Sequence, residues 1–293
     1  MTTADGGRTQ VLPDNDADGK NVRSESSKGG LGGYSREDNR LLEDCGNIFR
    51  FMGITVRHLP NTFRYPSEIL RQTGILLISS SFIILFMEFL ISAEIAIEAH
   101  YVLGQLGAQS YVGLFNAICD TSCGTGTMWG WVVGAKVGCG FVAELGAMRN
   151  GDEIDALEVM GIDSIGYLVG TRLMAIVIVT PFLYMVAVGV EYIAAYLVNV
   201  PKFHSVSEGG YWRVFWAFVE PSRLVGGLIQ TYVIGVLIVF ASTYYGYNAR
   251  GGAVGVGRNT AKSMIVSLII TGLFGVVGQL FFFTGLEGPA IGN

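Results

Sequence analysis

The chain has 293 residues, 51% hydrophobic and only 15% charged, with a formal net charge of −5 and a mean hydropathy of +0.46. A soluble domain carries about 25% charge, so an ordinary soluble enzyme is excluded, and nothing in the balance suggests a nucleic-acid surface. Ten of the 19 Lys and Arg fall in the first 71 positions, which separates a polar N-terminal part from an apolar body.

Residues 1–40 hold Gly, Ser, Asp, Asn and Arg with almost no large apolar side chains. Such a segment cannot bury enough surface to offset its ordering entropy, so a disordered cytoplasmic tail is expected. No apolar run follows Met1, so no signal peptide is expected either. Residues 41–73 mix apolar groups with Arg50, Arg57, Arg64 and Arg71, spaced every seven residues and therefore near one face of a helix. Pro60 and Pro66 must kink or divide that helix. It reads as an interfacial amphipathic helix, its apolar groups in acyl chains and its arginines at lipid phosphates, or as a soluble-side cover on the body.

Residues 74–293 form the body. Apolar stretches at 74–97, 124–147, 173–199, 224–249 and 263–286 each exceed the roughly 30 Å hydrocarbon core at 1.5 Å per residue. The fold class is therefore an all-α integral membrane protein with about five transmembrane helices. The apolar stretch 110–119 is too short to span and either extends the second helix or re-enters the membrane. Arg149 and Arg172 between spans two and three, and Arg250, Arg258 and Lys262 between spans four and five, place those loops and the N-terminus in the cytoplasm. The outer loop at 200–223 carries Trp212, Phe215 and Trp216, which suggest a short interfacial helix.

Ser122, Gly126, Gly130, Gly134 and Gly138 form a ladder of small residues at four-residue spacing. In lipid, such a ladder lets two helix backbones approach closely, either within the subunit or between subunits. Glu88, Glu94, Lys136, Glu144 and Glu191 lie in or near apolar spans. A charge at mid-bilayer costs about 2.5–3.5 kcal/mol, so these residues line a polar path or form ion pairs, Lys136 with one of the glutamates. Cys45, Cys119, Cys123 and Cys139 lack metal-ligand spacing and read as small buried helix residues. Gly252 to Asn259 mimics a phosphate loop, but Arg258-Asn259 replace the Lys and Ser/Thr that grip phosphate and magnesium. There is no catalytic constellation and no metal site.

The stretch from Ala143 to Asp163 is the most informative. Asp152 can cap a short helix, Glu153 and Asp155 suit its first turn, and Gly161 can end it. Ile154, Leu157 and Met160 then form an apolar stripe beside acidic groups, to be buried against a partner or the membrane interface.

Ala143-Glu144-Leu145-Gly146-Ala147-Met148, followed by Glu153 to Asp163, resembles the signature of the MlaE/YrbE permeases of ABC-type lipid transporters. Further matches are Leu106-Gly107-Ala108 with Val112-Gly113, Thr171 to Ala175, and Tyr245-Gly246 followed by Gly251 to Gly257, in the family's order across roughly residues 70–285. Two departures stand out. Ser122 to Gly126 replaces the usual Arg-Glu-Leu-Gly-Pro, and Ala135-Lys136-Val137-Gly138 replaces Gly-Arg-x-Gly, so the family's Arg-Glu pair is not carried over. The chain looks like the B-type subunit of two-permease Mce systems.

The resemblance implies a non-catalytic subunit in the cell's inner or plasma membrane, with a coupling helix at about 152–161. Glu153, Ile154, Asp155, Leu157, Glu158 and Met160 would engage an ABC ATPase dimer that holds the ATP and magnesium, this chain itself carrying no cofactor. A second YrbE-type permease and MCE-domain proteins would complete the path for a lipid such as a fatty acid. The alternative is an ion-coupled secondary transporter of a lipophilic substrate, using Glu88, Glu94 and Lys136.

Overall fold

The computed structural model describes residues 32–282, with side chains from Gly46 onward except those of Ser122 and Cys123. The tail expected at 1–40 therefore lies, for residues 1–31, outside the described residues, as does the side chain of Cys45. The chain divides between Asn47 and Ile48, and the contacts below belong to the second unit.

The helices are α1 (Gly32–Thr62), α2 (Pro66–Gln105), α3 (Gln109–Asn150), α4 (Glu153–Val159), α5 (Ile165–Lys202), α6 (Glu208–Phe218), α7 (Pro221–Tyr247) and α8 (Gly252–Phe282). No strand occurs among the described residues. Helix α1 starts ahead of the boundary expected at residue 41. The break expected from the two prolines falls between Thr62 and Pro66, where Pro66 opens α2 in the first-turn position that needs no N–H.

Helices α2, α3, α5, α7 and α8 are long and apolar enough to cross a membrane. The shortest, α7, has 27 residues, about 40 Å of helix. Residues 110–119 extend the second span rather than re-entering. That span changes to π-helical turns at Asp120–Met128 and Gly134–Gly138, in the stretch where glycine is frequent. Helix α2 packs along α5, while α7 lies against α3, α5 and α8. Between them sits a core that includes Ile84, Trp129, Val133, Ile176, Leu183, Ile234 and Ile238.

The helix expected in the 200–223 loop is α6, which begins where the Ser207 hydroxyl accepts from Gly210 N at 3.4 Å. Its Tyr211 and Phe215 are fully buried with Tyr184 and Tyr192 from α5, whereas Trp216 is exposed. Cys119 and Cys139 are half-buried helix residues rather than core.

Candidate functional site

Helix α4 turns the chain from α3 into α5. Its C-terminus closes as a Schellman motif, with Ile162 N donating to Leu157 O at 3.1 Å and Gly161 N donating to Glu158 O at 3.0 Å. Gly161 sits at φ 76°, a conformation glycine reaches without a Cβ clash. The expected N-terminal cap does not form. Asp152 is left-handed, φ 56°, and its side chain makes no capping hydrogen bond, because a capping residue needs an extended backbone to aim its oxygen at the helix.

The apolar stripe splits. Ile154 points into the chain and is fully buried with Leu145 of α3 and Leu168 of α5, against Met148, Tyr167 and Tyr247. Leu157 is half-buried beside it, while Val159 and Met160 stand exposed. Only the far end of the stripe, with exposed Ala156 and Glu153, is open to a partner.

The acidic side chains divide in the same way. Asp155 Oδ1 accepts from Arg149 Nη1 at 2.5 Å. Glu158 Oε1 accepts from Ser164 Oγ at 2.8 Å and from Tyr247 OH at 3.0 Å. Arg149 also lies over the Tyr247 ring, 5.8 Å from its centroid. Tyr247 is the last residue of α7, so Glu158 ties α4 to a fourth span besides the two that flank it. Just beyond α4, Asp163 accepts from His58 Nδ1 at 2.7 Å, Asn61 Nδ2 at 3.0 Å and Gly166 N at 3.2 Å. Thr62 Oγ1 donates to Gly166 O at 3.0 Å. Helix α1 is thereby fastened to the start of α5.

Burial alone would raise the Asp163 carboxyl, but hydrogen bonds from His58, Asn61 and Gly166 N, with the His58 charge, outweigh it and hold Asp163 below its ordinary value. A depressed carboxylate stabilises the fold above its unfolded value, about 3.9, and that stability is lost as pH falls through the folded value. Asp163→Asn is thus expected to lower the thermal midpoint at neutral pH, with the gap to wild type closing below about pH 4. Unfolding in mild detergent across a pH series checks this.

Arg172, read from sequence as a loop cation, lies in the first turns of α5 and is 2% exposed. Its Nη2 meets Glu144 Oε1 of α3 at 2.9 Å, its Nη1 donates to Leu168 O at 2.7 Å, and it lies over the Phe141 ring. This pair pins together the two helices that carry α4. It also corrects the expected partnership. Lys136 and Glu94 are exposed, and neither makes an ion pair among the described residues.

Glu88 is fully buried and meets another acid, Glu191, with no cation paired to it among the described residues. The Glu191 carboxyl of α5 interacts with those of Glu88 of α2 and Asp120 of α3. Asp120 was not singled out from sequence, although Asn116 and Asp120 at helical spacing in an apolar run signalled a polar inward face.

The glycine ladder is an internal seam. A Cβ on Gly126 would meet Gln230 of α7, on Gly130 both Ile234 of α7 and Thr271 of α8, on Gly134 Ser267 of α8, and on Gly138 Ser242 of α7. Of the four spaced arginines, Arg50, Arg57 and Arg64 are exposed without ion pairs among the described residues, whereas Arg71, on α2, faces Glu68 at 3.2 Å.

Five spans, with a short helix braced across the turn between the second and third, define a multi-pass membrane protein. The model of the MlaE permease matches residues 69–281, and the chain belongs to that family. It is 27% identical over 244 residues, 83% of this chain and 94% of the relative, to a probable ABC transporter permease protein of Rickettsia bellii. It is 30% identical over 162 residues, 55% of this chain and 46% of the relative, to protein TRIGALACTOSYLDIACYLGLYCEROL 1, chloroplastic, of Arabidopsis thaliana. Over 228 residues, 77% of this chain and 87% of the relative, it is 22% identical to the intermembrane phospholipid transport system permease protein MlaE of Haemophilus influenzae.

Proposed function

We propose that this chain is the permease subunit of an ATP-driven lipid transporter of the Mce type. It pairs with a second permease, takes force through α4 from a cytoplasmic ABC ATPase dimer, and passes lipid to MCE-domain proteins on the outer side. The N-terminus and α4 then lie in the cytoplasm, below the inner or plasma membrane. The carrying observation is the build of α4. Ile154, Asp155 and Glu158 are committed to the chain's own spans, and Glu153, Ala156, Val159 and Met160 make up the rest of the outward surface beside the exposed Asp155 and Glu158. A helix so fixed moves with its spans when pushed, and the uncovered end is where a push can be applied. The family membership and the names of the Rickettsia and Haemophilus relatives support the reading.

Glu153→Lys with Met160→Glu is expected to cut ATPase co-purification by about tenfold or more, since burying an unmatched charge at an interface costs about 2 kcal/mol or more. Membrane insertion should be unchanged. Undiminished co-purification would refute the docking role. Reversal of Glu158 is the poorer probe, because it breaks the contacts to Ser164 and Tyr247 first.

The buried carboxyls of Glu88, Asp120 and Glu191 favour one second reading, ion-coupled transport. Lipid movement by this subunit in liposomes under an ion gradient, with no ATPase, would select it.

A further inference from the structure

We infer that the outward face of α1 is a docking surface for the headgroups of anionic phospholipids in the membrane that holds the chain. Three observations carry this. First, α1 lies across the ends of three spans. Ile48 packs with Val142 of α3 and Tyr245 of α7, and the Phe51 ring meets the rings of Tyr244 and Tyr247 at 5.6 and 6.0 Å. His58, Asn61 and Thr62 bond to Asp163 and Gly166 at the entry to α5. A helix seated on span ends, with α2 entering the bilayer at Pro66, lies at the depth of the headgroups.

Second, the opposite face couples apolar and cationic groups in register. Phe49, Val56 and Phe63 are 69%, 54% and 64% exposed, and each is followed by an exposed arginine, Arg50, Arg57 and Arg64. Large apolar side chains held outward at a membrane surface enter the acyl boundary, and guanidinium groups beside them reach phosphate. Arg50 and Arg57 are about 10 Å apart along the axis, so each meets a separate headgroup.

Third, the charge is of one sign. No Asp or Glu occurs from Asn47 to Ser67. Of the acids near this segment whose side chains are described, Asp163 is engaged by His58 and Asn61 on the inner face and Glu68 by Arg71 and Gln72 on α2. Among the described residues the row therefore presents positive charge with no acid paired to it, and zwitterionic headgroups do not complement it as anionic ones do.

The test reconstitutes the full chain in bilayers of equal phosphatidylcholine and phosphatidylglycerol, extracts it in mild detergent and measures the retained lipids by mass spectrometry. Wild type is expected to keep phosphatidylglycerol over phosphatidylcholine by roughly fivefold or more. The Arg50→Gln, Arg57→Gln, Arg64→Gln variant should fall to parity, and Arg71→Gln should match wild type. Rising salt should erode the wild-type excess, a measurement that needs no variant to fold. An excess that survives the triple substitution, resists salt, or is lost equally in Arg71→Gln would overturn the inference. So would a triple variant that keeps the excess but loses a partner protein, since the face would then be a protein interface.

Discussion

Glu144→Ala is expected to destabilise the subunit by about 2–3 kcal/mol, the cost of leaving a buried guanidinium without its carboxylate. The asymmetry of the pair sets this size. Arg172 is 2% exposed and Glu144 is 49% exposed, so removing the glutamate strands a guanidinium charge that solvent cannot reach. Its Nε already lacks a partner among the described residues, where the bond to Leu168 O remains. Arg172→Met leaves the half-exposed Glu144, which can be hydrated or neutralised, and is expected to cost clearly less. The double variant should regain much of the loss, because the stranded charge is gone. Thermal unfolding followed by size-exclusion in detergent would rank the three. A milder effect for Glu144→Ala than for Arg172→Met would show that the pair does not hold α3 to α5.

Gly130→Leu is the second large effect. A Cβ alone at this position would stand 2.6 Å from Thr271 Cγ2 and 2.7 Å from Ile234 Cγ2, so alanine already overpacks by about 1–3 kcal/mol and leucine by more. Both neighbours are fully buried and come from different spans, so neither can move without displacing a helix. The expected result is loss of folded, monodisperse subunit. Gly140→Ala is the control. Its Cβ meets nothing within 4 Å, and the exchange should stabilise the helix by up to about 1 kcal/mol. A Gly130→Leu variant that folded normally but failed to pair with another permease would place the seam between subunits instead of inside one.

The spans, the turn residues and the short helix between the second and third spans were legible along the chain, since uninterrupted apolar length and glycine placement are local properties. Gly161 and the aromatic helix at Trp212 are instances. Seven-residue spacing likewise put Arg50, Arg57 and Arg64 on one helix, but not Arg71, which the break before Pro66 places on α2. What periodicity shows is which residues share a face; it does not show what that face meets. Lys136 was the cation expected to pair with a glutamate and Arg172 read as a loop cation, yet it is Arg172 that pairs with Glu144. Glu158 looked like outward charge until the end of α7 brought Tyr247 to it.

By itself, then, the order of residues determined a polytopic helical subunit with a short acidic helix in one turn, because desolvation and backbone hydrogen bonding act residue by residue. Only the tertiary arrangement decided that Ile154 faces inward, that the glycines pack against α7 and α8, and that Asp120 joins Glu88 and Glu191. Those outcomes depend on how five helices rotate and slide against one another. Each rotation is fixed by packing between residues roughly 30 to 145 positions apart in the chain, such as Gly130 with Thr271, a separation over which no local pattern carries information.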